Sequence, residues 1–279
     1  MGRIAAVILA AVVAGTASAA PAPPAPTPET VEIPQAEGKL KAFIFRPEGN
    51  GPFPAVVALH GCDGLAGTRS ALGRRYRDWG ERLVAAGFVV VFPDSFGARK
   101  LGPQCNANDR RLRSGRERVG DVEAARHWLQ EQAYVAPDRV SMLGWANGGV
   151  ATLWAVRPRT VKDGKPDFRS AVVLYPGCRR LRDTAWSARM PTLILIGAKD
   201  DWSPANACEQ MVSGARGRSA QAAIVVYPGA YHYFDHPNLP LQQRNGVAVA
   251  TGAISRVHVG TDTAARNDAF RRVPEWLAR

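Results

Sequence analysis

Cysteine, histidine and acidic residues are all scarce in this chain, and each scarcity removes a class of function. The 279 residues hold four cysteines and five histidines. No two cysteines form a C-x-x-C pair, and no two histidines share one helix face at a metal-ligating spacing. A structural zinc site or a helix-borne metal pair therefore has no basis here, and no metal or cofactor is expected. Long apolar runs are missing too: the leading one, Ile4 to Val13, is well short of the roughly 20 residues that cross a bilayer. There is no internal repeat and no second linker. Acidic residues number 24 against 36 lysines and arginines, a formal charge of +12. Such a balance invites a nucleic-acid reading. The arginines argue against it, because they are spread along the chain. Their densest group, Arg110, Arg111, Arg113, Arg116 and Arg118, is preceded by Asp109 and broken by Glu117, and no DNA- or RNA-binding motif accompanies it. The charge suits acidic small partners or anionic surfaces instead.

What is present is ordinary in proportion: 46% hydrophobic and 22% charged residues, enough to bury a core without metals. Residues 1–19 place one arginine before a short apolar run and end on Ala17-Ser18-Ala19. That is the pattern of a secretory signal peptide. Residues 20–29, APAPPAPTPE, read as a proline-rich extended tether. Residues 30–279 are then one folded domain. Export to the periplasm or beyond makes disulfides permissible. Cys62, Cys105, Cys178 and Cys208 allow three pairings.

Within the domain, apolar runs alternate with amphipathic stretches. Leu40–Phe45, Ala55–Leu59, Phe88–Phe92, Val140–Leu143, Ala171–Leu174, Thr192–Ile196 and Ala223–Val226 read as strands. Tyr76–Ala86 carries Trp79, Leu83 and Val84 on one stripe and ends at Gly87. Val119–Gln132, Gly148–Val156 and Asp268–Leu277 read as further helices, the last interrupted by Pro274. Continuous apolar strands separated by helices predict a mostly parallel, doubly wound α/β sheet covered on both faces. Ligands bind such sheets at the carboxyl ends of the strands.

Four segments just past strands carry chemistry. Gly144-Trp145-Ala146-Asn147-Gly148-Gly149 has the strand–turn–helix form of a nucleophile elbow. Its exposed position holds Ala146, which has no nucleophilic atom. Asp200, with Asp201 in reserve, follows a strand and is placed to orient a histidine; the alternative is that both cap the helix beginning near Pro204. His232 follows the last apolar strand, completing the order elbow, acid, histidine. His236 and His258 read as loop or structural residues, and His127 as exposed on a helix. His60-Gly61-Cys62-Asp63-Gly64 is a glycine-bearing loop after an early strand. Its Cys62 N–H, with that of Asn147, would form an oxyanion hole. Ser141 and Ser95 are poor substitutes for the missing nucleophile, because neither is placed to share a hydrogen bond with His232.

At this point the chain resembles the dienelactone hydrolase family, in its exported bacterial branch. The likeness rests on LHGCDG (59–64), FPDSFGARKLGPQC (92–105), Arg118 and Asp121 before HWL (127–129), GWANGG (144–149), YPGC (175–178), IGAKDDWSPANAC (196–208), YPGAYHYFDHP (227–237) and HVGTDTAARNDA (258–269). It implies an α/β-hydrolase fold, a serine or cysteine at position 146, Asp200 as acid and His232 as base. It also implies the disulfides Cys62–Cys105 and Cys178–Cys208, and hydrolysis of small esters or lactones. The arginine-rich stretch from Arg99 to Arg118 reads as a solvated surface loop or, if near the pocket mouth, as a feature favouring anionic substrates. With Ala146 the chain is an inactive variant, a natural pseudoenzyme, or one whose His232 activates water weakly. The alternative to a hydrolase is a periplasmic protein that binds a ligand or partner in the former active-site pocket.

Overall fold

The computed structural model describes residues 26–35, 38–65, 72–106, 112, 114–159, 164–248 and 254–279. The stretch read as a signal peptide, most of the tether, and Arg110, Arg111 and Arg113 lie outside the described residues.

The chain opens with β1 (Glu29–Gln35), whose first residue belongs to the stretch read as tether, and β2 (Gly38–Phe45). Then come β3 (Phe53–Leu59), α1 (Arg74–Ala85), β4 (Val89–Pro93), α2 (Glu117–Gln130), β5 (Val135–Trp145) and α3 (Asn147–Ala155). They are followed by β6 (Ala171–Leu174), α4 (Arg179–Asp183), β7 (Thr192–Gly197), α5 (Ala205–Gly214) and β8 (Ala222–Tyr227). A hairpin of β9 (Gln242–Ala248) and β10 (Ile254–Val259) precedes the closing helix α6 (Thr263–Leu277).

One eight-stranded sheet has the order β1-β2-β4-β3-β5-β6-β7-β8. Its β2 runs against both neighbours, and the strands from β4 across to β8 are mutually parallel. The chain steps one way from β3 to β4 and the other way from β4 through β5 to β8. Right-handed crossovers then place α1 on one face and α2, α3 and α5 on the other. The closing helix joins α1, the Trp79 ring of α1 meeting Phe270 of α6 at 4.6 Å. The sheet centre is dry, with Val56, Val91, Leu143, Val172 and Ile194 wholly buried. This is the mostly parallel α/β-hydrolase fold expected, in a single domain.

Several boundaries differ, each for a physical reason. The last helix begins at Thr263, not Asp268, because the Asp262 side chain accepts from Ala265 N at 2.9 Å and caps it early. Pro274 sits inside its last turns without ending it. β5 starts at Val135 because Phe53 pairs with Val135 before a register shift to Ala55–Val140. β1, β9 and β10 were not marked by any apolar run. His127 is half-buried, with Nε2 2.9 Å from an Arg126 guanidinium nitrogen.

Candidate active site

Parallel register brings the strand ends to one edge. Leu59 lies beside Gly144, Trp145 beside Leu174, and Gly197 beside Tyr227. The chemistry-bearing residues all follow these ends. Between β5 and α3 stands Ala146 alone, at φ 46° and ψ −111°. Few side chains tolerate this backbone, so the turn is strained. It is held by Ala146 N donating to Leu174 O at 3.0 Å and Val150 N donating to Ala146 O at 2.9 Å. The flanking glycines are sterically required. A Cβ at Gly144 would come within 2.5 Å of Thr152 Oγ1, and one at Gly148 would collide with the carbonyl oxygens of Leu59 and His60.

Asp200 and His232 meet, with Nδ1 of the imidazole 2.7 Å from Asp200 Oδ2. His232 is 1% exposed and Asp200 3%. The other carboxylate oxygen accepts from Trp202 N at 3.0 Å and Ser203 N at 2.7 Å, which fixes the acid in one orientation. It caps no helix: α5 has Pro204 at its N-cap and no side-chain bond there. Asp201 turns outward and holds His258, accepting from His258 N at 2.9 Å and lying 2.7 Å from its Nδ1. The helix-cap alternative for the two carboxylates is thus corrected for both. The His232 ring is walled by Tyr175, Trp202 and Tyr233 at 4.5, 4.6 and 4.8 Å between centroids. Among the described residues its Nε2 has no hydrogen-bond partner. Ser141 and Ser95 are elsewhere: Ser141 Oγ is 3.1 Å from Ser170 Oγ, and Ser95 Oγ accepts from Arg118 Nε at 3.4 Å.

The glycine loop after β3 is held from several sides. Cys62 is bonded to Cys105, and Cys178 to Cys208. Gln104 N donates to Cys62 O at 2.7 Å, and Gly61 N donates to the Tyr76 hydroxyl at 2.9 Å. Beneath it lies Arg118, fully buried, donating to Asn147 Oδ1 at 2.6 Å and to His60 O at 2.8 Å. Burial pulls this guanidinium down to about 10, against the opposing push of Asp121. Burial, and then Arg118, hold the His60 imidazole well below its ordinary value. Asn147 opens α3, so its N–H has no acceptor within the helix.

One cleft of about 520 Å³ opens among them. Cys62, Ala146, Asn147 and His232 border it together, with Trp154 and Trp202 as apolar walls. Of the arginines read as a mouth, Arg116 reaches the cleft, while Arg99 is paired with buried Asp121 at 2.8 Å. Arg179 and Arg180 also line it, and the sequence did not mark them. Their only signal is position, at the start of a short helix just past β6.

Behind the elbow sits a further residue that sequence reasoning passed over. Asp235 is fully buried and accepts from the Trp79 and Trp145 indoles, both at 2.7 Å, and from the Tyr175 hydroxyl at 2.5 Å. It therefore anchors the residue before Ala146 and an aromatic wall of His232. Its place in YFDHP was visible; its partners, from three distant segments, were not.

A model described as the dienelactone hydrolase family matches residues 40–279. The chain belongs to that family. A Salmonella typhimurium protein named "Putative carboxymethylenebutenolidase" is 26% identical over 265 residues, covering 88% of this chain and 85% of its own. A dienelactone hydrolase structure from Anabaena variabilis superposes with a TM-score of 0.61 at 19% identity, covering 91% of this chain and 98% of its own. Esterase 2 of Thermogutta terrifontis, phosphorylated by paraoxon, gives 0.63 at 16%, covering 92% and 95%. At these identities the structures establish the fold. The dienelactone hydrolase match begins at Leu40, inside β2, so β1 precedes it.

Proposed function

We propose that this is the scaffold of an exported hydrolase of small esters or lactones that works through an acyl-enzyme, with alanine at the reacting position. The observation that carries the reading is the buried Asp200–His232 bond of 2.7 Å, with Nε2 unpartnered among the described residues and the strained Ala146 bordering the same cleft. A hydroxyl introduced by Ala146→Ser would attack the carbonyl as His232 takes its proton. Asp200 would stabilise the imidazolium, and the main-chain N–H groups of Cys62 and Asn147 would receive the oxyanion. Water, activated by the same imidazole, would release the acid. With a methyl group at 146 the first step has no nucleophile, so the chain as written is inactive or very weak.

Arg116, Arg179 and Arg180 border the cleft, and among the described residues none that borders it is acidic. This supports a substrate that carries a negative charge. The two disulfides and the N-terminal pattern support export. Among the described residues no helix is long and apolar enough to cross a membrane.

The test is Ala146→Ser assayed on short p-nitrophenyl esters. A gain of at least about a thousandfold over the parent is expected, the scale of a restored triad member. A folded variant with no gain overturns the hydrolase reading. A second reading, binding without turnover, is supported by Cys62, Asn147 and His232 bordering one cleft with Ala146.

A further inference from the structure

We infer that the chain as it stands is a receptor for small carboxylic acids. One carboxylate oxygen is held by the main-chain N–H groups of Cys62 and Asn147, and the other by Nε2 of His232. The inference rests on reading these residues as a hydrolase site without its nucleophile, and extends that reading from a lost reaction to a retained binding.

Three features point to this ligand rather than to a neutral one. First, His232 is 1% exposed, borders the cleft, and has an Nε2 with no partner among the described residues. Buried polar atoms are satisfied in nearly all folded proteins, so this nitrogen calls for a hydrogen-bond partner in the cleft, and a carboxyl group that shares a proton with it is one. The side chain that would compete for it, at position 146, is a methyl group. Second, Asn147 begins the nine-residue helix α3. Its N–H, which has no acceptor within the helix, and the positive end of the helix dipole favour a negatively charged oxygen over an ester or amide carbonyl. Third, the buried Arg118 lies directly behind, 2.6 Å from Asn147 Oδ1; among the described residues its hydrogen bonds go to Asn147, His60 and Ser95, while the Asp121 and Asp94 carboxylates act on it only through space. Its charge is therefore only partly compensated, and it adds positive potential to the same corner. The cleft walls fix the rest of the molecule. Val150, Trp154 and Trp202 offer apolar surface for an aryl or alkyl tail.

Nδ1–H of His232 donates to Asp200, so Nε2 of the neutral ring carries a lone pair. A carboxylate binds there together with one proton from water, shared between Nε2 and the carboxylate oxygen; no covalent bond in the ligand changes. The groups that face the ring are Asp200 on Nδ1, the Tyr175 and Tyr233 rings, and Trp202. Arg116, Arg179 and Arg180 border the same cleft. The arginines attract the anion.

The experiment is titration calorimetry of the full chain with 3-phenylpropionate and with 3-phenylpropionamide, in two buffers of different ionisation heat. The acid should bind at least tenfold more tightly than the amide and take up one proton per molecule bound. His232→Gln, checked for an unchanged Tm, should lose at least tenfold in affinity together with the proton uptake. Equal affinity for acid and amide, or no proton uptake, overturns the inference. So does an unchanged affinity in His232→Gln, which would place the acid on the rim arginines alone. If that variant does not fold, NMR of the unsubstituted chain decides: the His232 ring signals must move on adding the acid. Turnover of esters by Ala146→Ser, with no acid binding by the parent, would end this inference and leave the hydrolase reading standing.

Discussion

An imidazole sealed from water ties stability to pH, and His60 is one. Its ring is fully buried, with Nδ1–H donating to Gly61 O at 2.8 Å and its edge against Phe96 at 4.5 Å. In the folded state it stays neutral well below its ordinary range. In the unfolded chain it gains a proton below about pH 6.5. The unfolded state then binds more protons, so stability falls as pH drops through that point. The slope approaches about 1.4 kcal/mol per pH unit for one group, until the lowered folded value is reached. Urea midpoints between pH 7 and pH 5 should fall less steeply in His60→Gln than in the parent; parallel slopes would refute this. The same fine grain limited what could be read beforehand. Asp200 and Asp201 are adjacent and chemically identical, and a one-residue step around a turn decides which faces inward. His258, which claims Asp201, comes from a strand with no apolar signature.

The elements that could be read were those whose burial is continuous. β3, β4, β6, β7 and the elbow helix appear in the sequence as unbroken apolar runs or as glycine-bounded turns. β1 escaped notice because it is an edge strand with exposed polar residues and Pro34. β9 is mostly exposed and reads as a polar loop. Yet β9 reaches the site. Arg244 lies 2.7 Å from Asp63 in the glycine loop and donates to the Tyr233 hydroxyl at 3.2 Å, and that hydroxyl donates to Asp63. Burial alone would raise the Asp63 carboxyl, but Arg244 and then Tyr233 outweigh it and hold it below the ordinary value. A carboxylate lowered by folding stabilises above its unfolded pKa, and that contribution disappears as pH falls through the folded value. Asp63→Asn should therefore cost about 1 kcal/mol near neutral pH, the range for a partly exposed pair. The difference from the parent should close at acid pH. A thermal-melt series over pH measures both, and a gap that persists in acid would point to packing instead of charge.

The whole molecule depends on its covalent ties at the edge that carries the site. Cys62–Cys105 joins the loop after β3 to the loop after β4, and Cys178–Cys208 joins the segment after β6 to α5. The sequence separations are 43 and 30 residues. On chain-entropy grounds each is worth about 4 kcal/mol, a large share of the roughly 5–15 kcal/mol that holds a domain folded. Full reduction should move the urea midpoint far down. A change under about 1 kcal/mol, with free thiols counted, would contradict this. Arg179 and Arg180 belong to the same edge. They could not be assigned to the cleft from sequence, since nothing local tells which end of the sheet a surface arginine overhangs.

Asp235 has a consequence for how the protein is made. A ribosome adds it ninety positions after Trp145 and sixty after Tyr175. Until then the indoles and the phenol beneath the turn have no acid to gather them. The shape around position 146 is therefore settled late in synthesis, and a nascent chain stalled before Asp235 would carry the turn's residues without their geometry.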